Sequence, residues 1–193
     1  MFRAICLVAA LLFTLTIPEA NAVDIKDPEN TLVIELKSGE VVIEMLPDVA
    51  PLHVDQIKML ARQGEYDGVA FHRVIDGFMA QTGDVKFGDM NDGYNAGRAG
   101  TGGSKLPNLP AEFSKLPFDR GVAGMARAQD PNSANSQFFI MFDDGHFLNN
   151  QYTVWGRVIS GMEHVDNIKR GAGSSGSVTD PDRMIRVQVA ADR

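Results

Sequence analysis

One arginine, two glutamines and a group of large apolar side chains fall within two short stretches of this 193-residue chain. The first is Phe71-His72-Arg73-Val74-Ile75-Asp76-Gly77-Phe78-Met79-Ala80-Gln81-Thr82-Gly83-Asp84; the second is Asn135-Ser136-Gln137-Phe138-Phe139-Ile140-Met141-Phe142. Such a set suits a reaction that rotates an amide and breaks no bond. An Xaa–Pro bond favours trans only slightly, but crossing between isomers costs roughly 18–20 kcal/mol because amide conjugation is lost. A catalyst for that crossing must favour the twisted amide over both planar forms. It needs no nucleophile, metal or general base. The prolyl nitrogen gains a lone pair as it pyramidalises, and a fixed cationic donor stabilises that charge. Arginine fits, because it stays protonated and donates from a planar fork.

Strand alternation gives an independent reading of the same residues. Met79 and Gln81 stand two apart, so on a strand both side chains leave one face. Gln137 and Phe139 repeat the arrangement. Two strands that each offer one amide and one apolar group suit a groove that holds proline. The amides would hold the peptide backbone while the apolar groups receive the pyrrolidine ring. Core strands also contain Met and Phe, but a buried amide then needs a partner.

The surrounding chain supplies elements to carry these residues. Thr31–Leu36 and Val41–Leu46 are β-rich runs joined by the hairpin signal Lys37-Ser38-Gly39-Glu40. Pro51 opens a helical pattern with Leu52, Ile57, Leu60 and Ala61 as its apolar stripe and Gly64 as its stop. Val69–Ile75 and Phe78–Gln81 read as strands around Asp76-Gly77. Residues 84–117 are rich in Gly, Asn and Pro and form a long excursion, functional or held by its own packing. Further strands are expected at Gly121–Ala126, Ser136–Phe142, Gln151–Ile159 and Met184–Ala190. A second short helix is expected at Gly161–Lys169, with Met162, Val165 and Ile168 on one side. Many short strands with two helices leave a barrel or a sandwich open.

The two stretches resemble the cyclophilins, peptidyl-prolyl isomerases whose pattern reads FHR(V/I)I-x-GFM-x-Q-x-GD and then SQFFI. The likeness covers roughly Thr31 to Ala190. It implies a mainly β fold, a closed eight-stranded antiparallel barrel capped by two helices, and an isomerase that uses no cofactor or metal. By resemblance Arg73 is the catalytic donor, with Gln81 and Phe78 beside it, and His72 lines the site. Met79, Phe139 and Leu148 match the family's proline pocket along with Phe78. Phe147 stands where many eukaryotic members carry Trp, and Tyr152 where they carry His. Phe147 keeps an apolar wall but loses an indole donor, so cyclosporin is expected to bind with reduced affinity. Gly100-Thr101-Gly102-Gly103 resembles the glycine-rich edge of the peptide groove. Ala126-Arg127-Ala128 resembles the strip that aligns the substrate backbone, and Gln137 is its amide neighbour. Arg127 replaces the Asn common elsewhere, and the 85–99 connection is longer than in short eukaryotic members.

Length allows one domain with a substantial core. The formal charge of −7 argues against nucleic acid or an anionic membrane as the main partner. Arg3, the apolar run Ala4–Ile17, Pro18 and Ala20-Asn21-Ala22 form a secretory leader over residues 1–22. The run is short of the about 20 residues that span a bilayer. Residues 23–30 read as a loose polar leader and 31–193 as the isomerase domain. Cleavage removes Cys6, the only cysteine, and with it any disulfide or thiol chemistry. Export follows, to the periplasm or the extracellular medium, with no membrane association after cleavage. A monomer is expected, acting on proline-containing polypeptides.

Other motifs lead nowhere. Gly171-Ala172-Gly173-Ser174-Ser175-Gly176 is a literal GxGxxG, but a helical pattern precedes it where a dinucleotide site needs a strand. His53, His72, His146 and His164 show no zinc-ligand spacing. Two rival readings survive. One is a proline-peptide binding module or holdase without catalysis. The other is an exported β-barrel for small apolar ligands, which leaves the amide-bearing strands unexplained.

Overall fold

Eight strands make up the computed structural model, which describes residues 24–193; the leader expected at 1–22 lies outside the described residues. They are β1 Thr31–Leu36, β2 Gly39–Met45, β3 Arg73–Ile75, β4 Met79–Thr82, β5 Val122–Met125, β6 Phe138–Met141, β7 Val154–Ser160 and β8 Arg186–Val189. All pairings are antiparallel, in the order β3-β4-β6-β5-β7-β2-β1-β8. The two end strands, β3 and β8, share no ladder. Irregular backbone spans the gap: Phe71 donates to Asp182 O, Met184 to Val69 O and Val74 to Gly176 O. Isolated bridges join Ala70 to Arg183 and Arg73 to Ser177. The expected mainly β fold of eight antiparallel strands with two helices is present, as a curled sheet whose seam is irregular backbone where a closed barrel would have a ladder. The same seam shortens the expected Val69–Ile75 strand to three residues.

Alternation sorts the side chains into two apolar clusters. Phe138, Ile140, Ala80, Ala123 and Trp155 face the inner core with Leu32, Ile34 and Ile43. Phe139, Met141, Met79 and Val154 face outward and build a second cluster with Phe118 and Leu148. One residue of register decides which cluster each Phe of the 138–139 pair joins.

Two helices complete the layer, α1 at Pro51–Arg62 and α2 at Met162–Asp166. Helix α1 buries Val54, Ile57, Leu60 and Ala61, but Leu52 is 47% exposed and lies off the stripe expected to include it. Ala50 offers no side-chain cap. Glu112 takes that role from the long excursion, accepting from the Leu52 N–H at 3.2 Å, the His53 N–H at 3.1 Å and His53 Nδ1 at 2.6 Å. Residues 27–30 are not loose. Asp27 caps a 3-10 turn at Pro28–Asn30, and Glu29 pairs with Lys58 and Arg62.

The excursion after residue 84 has its own anchor. Asp84 is fully buried. Its Oδ1 accepts from the backbone N–H of Lys86 at 3.1 Å and Phe87 at 2.9 Å. Oδ2 accepts from Gly100 at 2.7 Å and Gly102 at 2.9 Å. Burying a carboxylate is costly unless charge-assisted bonds of this kind offset it. A side chain at 102 would not fit, since a Cβ there would lie 2.4 Å from Asp84 Oδ1. Asp84→Ala should therefore leave four donors without their acceptor and lower stability by about 3 kcal/mol. Urea unfolding checks this, together with protease sensitivity confined to residues 85–103. An unchanged midpoint would show that the anchor is dispensable.

Candidate active site

Register places the candidate residues in a row. Arg73 on β3 pairs with Gln81 on β4, Gln81 with Phe139 on β6, and Phe139 with Gly124 on β5. Gly124 carries no side chain, and that absence matters. A Cβ there would lie 2.5 Å from Phe118 Cε1 and 2.6 Å from Phe139 Cζ. Phe118 stacks beneath Phe139 with ring centroids 5.7 Å apart and planes at 26°. Tyr152 meets the same ring edge-on at 5.9 Å.

The row borders a hollow of about 310 Å³ with apolar walls and a polar edge. Phe78, Met79, Phe139, Leu148 and Tyr152 wall it, and Phe147 stands among them 66% exposed, tilted against Phe78 at 5.4 Å. Phe147 and Leu148 ride on a 3-10 turn at His146–Leu148. His146 Nε2 lies 2.7 Å from Asp119 Oδ1, and this carboxylate raises the His146 pKa. Asp144 is also near, so Asp119 is brought from a distant segment against the neighbouring Asp144 and His146, all three exposed.

Arg73 supplies the polar edge. Its Nε donates to Ser175 O at 3.1 Å and its Nη1 to Gln81 Oε1 at 3.2 Å. Gln81 Nε2 donates to Gln137 Oε1 at 3.0 Å, and Gln137 Nε2 to Gly102 O at 2.7 Å. This relay fixes which end of each amide is oxygen. No carboxylate pairs with Arg73 among the described residues, and its Nη2 forms no protein hydrogen bond there. An undiminished positive charge with unused donors thus stands at the rim of an apolar hollow.

A second hollow of about 460 Å³ adjoins the first through Gln81, Ala126 and Arg127. Gly100, Thr101, Ala128 and Gln137 line it. Arg127 is fixed between the two. Its Nε and Nη2 donate to Gln151 O at 3.2 and 2.9 Å, and its Nη1 to Ala128 O and Gln129 O at 2.8 and 3.2 Å. The guanidinium carbon also lies 4.5 Å from the Tyr152 ring centroid.

His72 departs from expectation. It lines neither hollow and is only 7% exposed. Its neighbour Arg73 takes the outer face, and the His72 ring packs beneath Gly100, where a Cβ would lie 2.9 Å from Cδ2. Burial pushes its pKa down, partly opposed by the Asp84 charge. Gln137 and the Ala70 carbonyl approach the ring without reaching bonding geometry. His72 supports the glycine strip from below. Sequence reasoning missed Phe118 and Gly124, which lie under the hollow, and Ser175, which sits 102 residues from the arginine it holds. Ser175 belongs to the GxGxxG stretch, whose backbone runs along the seam beside β3.

The fold and this site define a class: a curled antiparallel sheet with an arginine-edged hollow on its outer face. Residues 31–189 match the family described as cyclophilin type peptidyl-prolyl cis-trans isomerase/CLD. The chain is 60% identical over 187 residues to a probable peptidyl-prolyl cis-trans isomerase of Brucella suis, covering 96% of this chain and 95% of that one. It is 34% identical over 158 residues to the cyp18 isomerase of Streptomyces antibioticus, covering 72% of this chain and 83% of that one. The crystal structure of cyclophilin AquaCyp293 from Hirschia baltica superposes with a TM-score of 0.74 at 28% identity, covering 86% of this chain and 76% of that one. The chain belongs to the cyclophilin-type peptidyl-prolyl cis-trans isomerases.

Gly124→Ala tests the site's foundation. The added methyl must displace Phe118 or Phe139, and isomerisation of a proline peptide should slow about tenfold or more, as misplaced contacts of this size do. A full rate in the folded variant would show that the ring's position is immaterial.

Proposed function

We propose that this isomerase assists the folding of exported proteins, with Arg73 as the group that stabilises the twisted imide. The pyrrolidine ring enters the hollow walled by Phe78, Met79, Phe139 and Leu148, while Gln81 holds substrate backbone. As the prolyl nitrogen pyramidalises, a free N–H of Arg73 donates to its lone pair. The single observation behind this reading is the relay from Gly102 through both glutamines to Arg73. It orients a donor before substrate arrives, so little reorganisation is needed during rotation. A Cryptosporidium parvum cyclophilin, 25% identical with a TM-score of 0.69 and covering 82% of this chain and 98% of that one, was crystallised in the presence of the dipeptide ala-pro. That pairing supports an Ala-Pro peptide as the first substrate to try.

NMR exchange on such a peptide with residues 23–193 should show fast interconversion. Arg73→Ala should slow it about a hundredfold, and Phe139→Ala should also slow it, each with an unchanged far-UV spectrum. Equal rates for wild type and Arg73→Ala would remove Arg73 from the mechanism. Binding without acceleration would favour the holdase instead. In the same assay, Phe147→Trp should lower the cyclosporin concentration needed for inhibition; no change would detach that affinity from position 147.

The export proposal rests on the leader pattern at 1–22 and on a remaining chain free of cysteine. Proline isomerisation takes tens of seconds unassisted and limits folding wherever chains arrive unfolded. N-terminal sequencing of the protein from fractionated cells should begin at Val23, outside the cytoplasm. An intact Met1 in the cytoplasmic fraction would overturn it.

A further inference from the structure

Charge is distributed unevenly in this acidic molecule. Several cations lie in ion pairs: Lys58 and Arg62 with Glu29, Arg120 with Asp166, Arg157 with Glu44, and Arg193 with Glu40. Those that line the groove do not. Arg73, Arg127, Lys86, Arg98 and Lys105 form no ion pair among the described residues. The first two edge the adjoining hollows, and no carboxylate lines either hollow. The other three line a third hollow of about 500 Å³ on the far side of the strip Thr101–Ser104, which also borders the second.

These cations are held without neutralisation. The Arg98 guanidinium lies 3.7 Å from the Phe87 ring centroid and Lys86 Nζ 5.1 Å from it, so an aromatic face positions both. Arg127 is fixed by carbonyls. Two acids oppose them. Glu65 lines the third hollow, and Asp84 lies buried below the strip with both oxygens engaged by backbone N–H. Arg73 and Arg127 line the first two hollows without a carboxylate among the lining residues, so the lining itself is positive in a chain whose formal charge is −7. A cleft of one sign with low-dielectric walls concentrates the opposite charge.

We infer that the groove selects acidic proline segments, with Asp or Glu in the residues flanking the proline and the carboxylate lying against Arg127 or reaching over the glycine strip toward Lys86 and Lys105. This rests on the isomerase reading above. The apolar hollow beside the cations requires a proline-bearing chain, which a polyanion such as nucleic acid does not supply.

The test uses residues 23–193 and three peptides sharing one Ala-Pro core, flanked by Ala, by Glu or by Lys. Exchange NMR gives kcat/KM at about 20 mM and about 500 mM salt, conditions with very different screening. At low salt the Glu peptide should exceed the Lys peptide by about threefold to tenfold, what one or two exposed ion pairs supply. That ratio should fall towards one at high salt. It should also fall in the double variant Lys86→Gln with Lys105→Gln, while the Ala peptide keeps its wild-type rate. Lys105→Gln alone, whose side chain forms no hydrogen bond or ion pair within the described protein, gives a smaller fall should the double variant misfold. Equal rates for the Glu and Lys peptides at low salt, or a Lys preference, would overturn the inference while the Ala peptide still turns over. Equal competition by short single-stranded DNA would overturn it too. Failure of all three peptides would instead sink the isomerase reading.

Discussion

A guanidinium tethered only by neutral groups keeps its full charge, and the site depends on that condition. Arg73 is held by the Ser175 carbonyl on one side and the Gln81 amide on the other. A carboxylate would have fixed it as firmly but would have cancelled its field at the edge of the hollow. Amide and carbonyl dipoles supply orientation without neutralising the ion. The cost is length: the tether needs two glutamines, a glycine carbonyl and a loop distant in sequence, all in register.

Alternation makes that register possible. The tandem Phe138-Phe139 sends one ring to the inner core and the next to the outer cluster. Inner core and outer hollow are therefore built by adjacent residues on opposite faces of one strand. Phe138 meets Tyr66 and Trp155 edge-on inside, while Phe139 rests on Phe118 outside. A slip of one residue would exchange them and lose both functions together.

Much of this was legible in the sequence, because period and spacing are local properties. The Met79/Gln81 and Gln137/Phe139 pairs could be assigned to common faces from strand geometry alone, and all eight strands lie largely within their expected spans, β3 as the last three residues of its own. Other features were hidden because they arise from distant contacts. Nothing near Ser175 marks its carbonyl as a partner of Arg73, and Gly124 looks like any strand glycine until the rings that occupy its missing Cβ are seen. His72 shows the converse failure. Its place beside Arg73 suggested a share in the site, yet alternation turns it to the other side, beneath Gly100. The same rule that placed the glutamines excluded it.

The pocket lies on the convex side of the sheet, over the outer cluster, while the inner core is filled by side chains of its own. No terminus has to be threaded and no lid must lift to admit a client. An isomerase built this way meets a proline in the middle of a long polypeptide as readily as one near its end. It can let go without unwinding anything, so release asks no more of the sheet than entry did.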